Sequence, residues 1–188
     1  NSPANPHGAV LEVEQLARAV ARARELGAVI ASDECYAEFT WQKPEPTPSI
    51  LDPLVIAGDR DSVLAVYSLS KQSNLAGYRA GFVAGCSDLI SELLAVRKHA
   101  GLIPPAPVQA AMIAALRDET HVAEQRELYR ARRAVLGPAL EAAGFRIDES
   151  AAGLYLWATR DEDSWLTVAF LAEMGILVVP ESFYTDGP

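Results

Sequence analysis

Lys71 stands in the run Ser68-Leu69-Ser70-Lys71, and Arg79 follows it by eight positions. A primary amine of this kind can condense with a carbonyl carbon and can carry a proton to or from a neighbouring atom. Hydroxyls and a guanidinium close by can hold a phosphate dianion through charge-assisted hydrogen bonds. Upstream, Ser32-Asp33-Glu34-Cys35-Tyr36 offers a carboxylate and a phenol, and the opening run Asn1-Ser2-Pro3-Ala4-Asn5-Pro6-His7-Gly8 offers the amide of Asn5. A carboxylate keeps a basic ring nitrogen protonated, and a phenol or amide donates to an anionic oxygen.

Taken together, these are the demands of pyridoxal phosphate, which needs an amine, an acid at its ring nitrogen, donors at its phenolic oxygen and a grip on its phosphate. The chain offers Lys71 for the first, Asp33 for the second, Tyr36 and Asn5 for the third, and Ser68, Ser70 and Arg79 for the last. Each also has a plainer reading. A strand-end Asp33 can be a cap or turn residue, Ser68 and Ser70 turn hydroxyls, Arg79 a surface ion pair. Glu34 reads as a structural partner and Cys35 as a small buried filler.

The elements around these residues must bring them together. Leu16, Ala19, Val20, Ala23 and Leu26 recur at helical spacing, with Gly27 closing the helix. Ala28-Val29-Ile30-Ala31-Ser32-Asp33 reads as a buried parallel strand, Val63-Leu64-Ala65-Val66-Tyr67-Ser68 as a second buried strand, and residues 80–85 as a third strand candidate. Asp33 and Ser68 then fall at the C-terminal ends of strands, the edge at which open α/β sheets bind ligands. A Pro-rich loop covers residues 43–53. A helix is expected from Ser87, as N-cap, to about Lys98; residues 101–107 break it, and helix resumes after Pro107 and after Thr120. Gly137-Pro138 should kink or interrupt the last of these. The domain boundary is therefore placed there, with 1–136 in a large domain and 137–188 in a small one. In the tail, Phe145-Arg146-Ile147 and Leu154-Tyr155-Leu156-Trp157 read as strands, Ser164 to Met174 as a helix closed by Gly175, and Ile176-Leu177-Val178-Val179 as a last strand.

A net charge of -9 argues against a nucleic-acid partner. The basic cluster from Arg126 to Arg133 is interleaved with Glu127 and reads as a solvated helix face. No apolar run is long enough to cross a membrane and no signal peptide opens the chain, so the cytoplasm is the expected compartment. Cys35, Cys86, His7, His99 and His121 make no metal-ligand spacing. The chain opens on a turn-rich run without Met and ends abruptly in Thr185-Asp186-Gly187-Pro188, which reads as a piece of a longer protein.

Three of these segments, in order and spacing, resemble the signature blocks of the class I/II, fold-type I aminotransferases. The family pattern is Asn-Pro-Thr-Gly, then Asp-Glu-x-Tyr, then Ser-x-Ser-Lys with an arginine eight residues on. This chain has Asn5-Pro6-His7-Gly8, Asp33-Glu34-Cys35-Tyr36, Ser68-Leu69-Ser70-Lys71 and Arg79, with His7 in place of threonine. The resemblance implies an α/β fold: the C-terminal part of a large, mainly parallel-sheet domain plus a small α/β domain, truncated at both ends. It implies pyridoxal 5'-phosphate as cofactor, amino-acid and 2-oxo-acid substrates, and a homodimer. It implies Lys71, Asp33 and Tyr36 as catalytic residues and Asn5, Ser68, Ser70 and Arg79 as further cofactor ligands. It places the aromatic that stacks on the ring and the arginine for the substrate carboxylate outside these residues, so that the chain alone should be a poor enzyme. Gly153-Leu154-Tyr155 is expected to approach the substrate entrance. Tyr36 favours transamination over carbon–sulfur lysis, whose enzymes carry His there; a cofactor-binding regulatory module is the rival from another class. The wording of Ser32-Asp33-Glu34-Cys35-Tyr36, Arg97-Lys98-His99-Ala100-Gly101 and residues 152–160 is similar to the N-succinyldiaminopimelate aminotransferases of lysine biosynthesis, with Arg97, Lys98 and His99 as candidate contacts for an anionic substrate. Aminotransferases of aromatic, alanine or aspartate specificity are the alternative.

Overall fold

A computed structural model of the chain describes residues 1–42 and 47–184. The first helix, α1 (Val13–Glu25), opens with a reciprocal cap in which the Glu12 side chain accepts from the Gln15 amide and the Gln15 side chain accepts from the Glu12 amide. It buries Leu16 and Val20 but leaves Leu26 exposed. Gly27, in the left-handed region at φ 62°, turns the chain into β1 (Ile30–Asp33). Only Ser32 of that strand is buried, so the fully buried strand expected from its apolar run is realised on one side alone.

The connection back to the sheet carries α2 (Pro53–Ile56), where Asp52 caps the Leu54 amide and Pro53 opens the helix. Next come β2 (Val63–Ser68) and α3 (Leu69–Gln72). A 3-10 turn at Ala76–Tyr78 leads into β3 (Gly81–Gly85). The strands form one three-stranded sheet in the order β1-β2-β3, β1 parallel and β3 antiparallel to β2. The core packs α1 and α2 on this sheet through Leu16, Val20, Ile50, Val55, Ile56 and Val63.

Helices α4 (Ser87–His99), α5 (Ala106–Leu116) and α6 (Thr120–Ala142) follow. Cys86, not Ser87, is the N-cap of α4. Helix α6 runs for 23 residues straight through Gly137-Pro138, so the expected interruption does not occur. Pro138 leaves the Ala134 carbonyl without its helical donor, and the neighbouring turns carry the helix across that single gap. A short antiparallel pair, β4 (Arg146–Asp148) and β5 (Trp157–Thr159), and α7 (Ser164–Glu173) complete the tail. The second of these strands begins where the expected one ended. Ile176-Leu177-Val178-Val179 is not a strand: no neighbouring strand pairs with it among the described residues, and Leu177 is 92% exposed. Residues 43–46 of the Pro-rich loop and the terminal residues 185–188 lie outside the described residues.

Candidate functional site

The site grows from the ends of β1 and β2. Asp33 pairs in register with Val66, two residues before Ser68. Its carboxylate accepts the Cys35 amide at 3.1 Å, which turns the chain towards Tyr36. Glu34 points the other way: it is buried, and its carboxylate accepts the Ile50 amide at 2.7 Å, a structural role. The opening turn is tied to the same edge, because the Ser2 amide donates to the Asp33 carbonyl at 3.1 Å. Asn5 sits exposed at its tip. His7 shapes the turn, its Nδ1 accepting the Ala9 amide at 3.2 Å, as a threonine hydroxyl could. Gly8 adopts φ 76°, and a Cβ there would stand 2.1 Å from the Ala152 carbonyl oxygen, so only glycine lets this turn dock on residues 150–152.

Lys71 is carried on α3, a helix of one turn. Ser68 caps it, its Oγ accepting the Ser70 amide at 3.1 Å while its hydroxyl donates to Ser70 Oγ at 2.9 Å. Lys71 Nζ lies 6.0 Å from the centroid of the Tyr36 ring. Tyr36 is buried, with Tyr155 edge-on to it at 6.4 Å. Burial first, then hydrogen bonding with Tyr155, pushes the Tyr36 phenol well above its usual range, so it stays a proton donor. Burial, followed by the Asp33 hydrogen bond, pushes the Cys35 thiol up to about 12, against a smaller opposing pull from Lys71.

Ser70, Lys71, Asn74, Tyr129, Leu154 and Tyr155 line a cavity of about 290 Å³. Leu154 and Tyr155 thus face the same cavity as Lys71. Asn74 and Tyr129 carried no signal in the sequence: Asn74 lies beyond the lysine block, and Tyr129 belongs to the helix that read as a solvated face. Arg133 on the same helix lies over the Trp41 ring at 4.9 Å and donates to the Tyr155 carbonyl at 3.0 Å, fixing the loop that bears Tyr155. Arg79 is not joined to the serines. It is exposed and its guanidinium donates to the Ala76 carbonyl at 3.0 Å, the nearest acceptor in its own turn. Arg97, Lys98 and His99 end α4, Arg97 donating to the Leu102 carbonyl at 2.7 Å, and are not among the side chains lining the cavity. Among the described residues, no His, Cys, Asp and Glu cluster could hold a metal, and no helix is long and apolar enough to cross a membrane.

An amine, a pair of linked hydroxyls, a phenol held protonated and a carboxylate thus share one sheet edge, a donor set that fits pyridoxal phosphate. The comparisons agree. The family model for aminotransferase class I and II matches residues 1–187. The chain is 57% identical over 186 residues to the 4-dedimethylamino-4-oxo-anhydrotetracycline transaminase OxyQ of Streptomyces rimosus, covering 99% of this chain and 51% of that protein. It is equally 57% identical over 187 residues to "Probable aminotransferase Rv1178" of Mycobacterium tuberculosis, covering 100% and 44%. The solved N-succinyldiaminopimelate aminotransferase of Mycobacterium tuberculosis superposes with a TM-score of 0.85 at 29% identity, over 100% of this chain and 49% of that one. The chain spans about half the length of the curated relatives it matches. A strand edge that gathers Asp33, Tyr36 and Lys71, and a family match along its length, make this chain a member of the class I and II aminotransferases, pyridoxal-phosphate-dependent enzymes of fold type I.

Proposed function

We propose that the whole protein transfers an amino group between an amino acid and a 2-oxo acid, with Lys71 as the residue that binds the cofactor covalently. The observation that carries this is Lys71 at the wall of a cavity beside Tyr36, one turn beyond the strand edge that bears Asp33. Pyridoxal phosphate, when bound, supplies an aldehyde that takes up the amino group and a protonated ring that withdraws electrons. Lys71 Nζ moves the proton at the substrate α-carbon as general base and then general acid. Asp33 holds the proton on the ring nitrogen. Tyr36 and Asn5 donate to the phenolic oxygen. Ser68 and Ser70 orient the phosphate, and Arg79 joins them by leaving the Ala76 carbonyl. We place the division between large and small domains at 136/137, and expect a cytoplasmic homodimer.

The first candidate pair is N-succinyl-LL-2,6-diaminopimelate with 2-oxoglutarate, supported by the likeness to the solved enzyme named for that substrate over the full chain. A second reading takes a ring ketone as amino acceptor. The identity to OxyQ and the two phenol walls of the cavity, Tyr129 and Tyr155, favour it. Borohydride treatment of the full-length protein followed by peptide mapping should label Lys71; a label on Lys43 or Lys98 instead refutes the assignment. A panel of donors and acceptors at equal concentration separates the substrates. If N-succinyl-diaminopimelate gives a lower kcat/KM than alanine, aspartate or phenylalanine, the first pair fails while transamination stands.

A further inference from the structure

Helix α3 has only four residues and one turn, too short to be stable by itself. Something outside it must fix the direction of Lys71. At its N-terminal end Ser68 provides a cap. At its C-terminal end stands Ser73, whose amide bonds the Leu69 carbonyl at 3.1 Å and whose hydroxyl lies 2.9 Å from His121 Nε2. The other ring nitrogen, Nδ1, lies 3.1 Å from the Asp118 carboxylate. A carboxylate only accepts, so Nδ1 carries a proton, and in the neutral ring Nε2 accepts from the Ser73 hydroxyl. Asp118 is fixed in turn by accepting the Thr120 amide at 2.9 Å, at the start of α6. The backbone cap first, then His121, holds its carboxyl below the usual range, so it remains an acceptor.

We infer that His121 is a positioning residue for Lys71, acting through Ser73. The inference rests on the proposed role of Lys71. The first turn of α6 grips the end of the lysine-bearing turn, and eight residues further along the same helix Tyr129 forms a wall of the cavity that Lys71 lines. Eight residues are a little over two turns, about 12 Å of rise, so the two side chains leave one broad face of a rigid rod. The helix therefore sets the lysine and its facing wall in a common frame. The order Ser73–His121–Asp118 is also that of a nucleophilic triad, but two features direct it to positioning. The Ser73 amide is spent on Leu69 and is not free to stabilise an oxyanion, and Asp118 is exposed to water rather than buried against the imidazole.

The test uses the full-length protein with His121→Leu, His121→Gln and Ser73→Ala, the last as the milder change should His121→Leu fail to fold. In the cofactor-free protein, hydrogen exchange at the amides of residues 73 and 75, which close on Leu69, should quicken about five- to tenfold in His121→Leu and Ser73→Ala, the loss of one hydrogen bond. Borohydride trapping at Lys71 in the loaded protein should slow, and kcat should fall with KM for the amino donor unchanged. His121→Gln, which can still reach Ser73, should restore both. Unchanged exchange and trapping in Ser73→Ala overturn the inference, as does a fall in kcat that His121→Gln does not rescue. Absence of any Lys71 label in the wild type would refute the role of Lys71, and the exchange measurement would still read the His121–Ser73 link.

Discussion

Among the described residues, Asp33 uses its side chain only towards Cys35, accepting its amide and hydrogen-bonding its thiol, and is otherwise exposed. Asp33→Asn keeps that acceptor, so stability should change by no more than about 0.5 kcal/mol. The full-length variant should abstract the substrate α-proton about a hundredfold more slowly or worse, because a fixed charge is lost where charge develops; wild-type single-turnover rates would remove Asp33 from the mechanism. Cys35 beside it gives a pH signature. Its pKa of about 12 in the folded state lies above the ordinary 9.0, so the neutral thiol persists to higher pH. Alkylation by iodoacetamide, which needs the thiolate, should stay slow up to about pH 10 and rise only beyond about pH 11. The stabilisation from keeping this thiol neutral is complete below about pH 9 and is lost as pH climbs towards 12. A reactivity profile centred near 9 would contradict the burial. At this scale the sequence was informative where chemistry fixes a residue type in a short block: Asp33, Tyr36, Ser68, Ser70 and Lys71 converge on one edge. It was silent where a side chain arrives from far along the chain. Tyr129 and Arg133 meet the site only because α6 folds back, and no local pattern marks that.

The elements that position the site are short, and they are held by contacts at long sequence separation. The opening turn docks on residues 150–152 through Ser150 N to the His7 carbonyl and Ala152 N to the Gly8 carbonyl, both at 2.9 Å. Gly8→Ala meets both a left-handed backbone and a carbonyl at 2.1 Å. The first costs about 1–3 kcal/mol, and the second forces the turn off its partner. A loss of about 3 kcal/mol or more is expected in urea unfolding of the full-length protein, together with weaker cofactor binding through the displaced Asn5. An unchanged midpoint would show that the turn is not braced there. Helix and strand types were legible wherever a periodic or apolar run was long, as in α1, β2, β3, α4 and α7. The misreadings have physical causes. Pro138 sits in a helix whose other hydrogen bonds outlast one missing donor, and the apolar run 176–179 finds no strand to pair with among the described residues.

Across the whole molecule, apolar surface is unevenly covered. Helix α5 reads Ala-Pro-Val-Gln-Ala-Ala-Met-Ile-Ala-Ala-Leu, yet none of its residues is buried, and α4 buries none either. Leu54 and Val135 are 76% and 75% exposed, and Leu93, Leu94, Val96, Leu102, Ile103, Ile113 and Leu116 are all exposed on these helices and their connection. Surface of this extent, in contiguous elements, is far more than scattered exposed leucines and favours association when nothing covers it. Two forces then compete when the 188 residues are expressed alone. A net charge of -9 drives copies apart, but its reach is about 8 Å at physiological salt and about 3 Å at 1 M. Each leucine-sized side chain covered on association contributes about 2 kcal/mol, and a handful suffices to outweigh the screened repulsion. The isolated 188-residue chain should therefore bind an apolar dye strongly and elute above its monomer mass of 20.2 kDa. Association should strengthen as salt rises, because repulsion fades while burial does not. The full-length protein, at equal molar concentration, should bind several-fold less dye. A sharp monomer peak for the isolated chain with no dye response, or association that salt dissolves, would mean that charge rather than apolar surface governs how this half of the fold meets its neighbours.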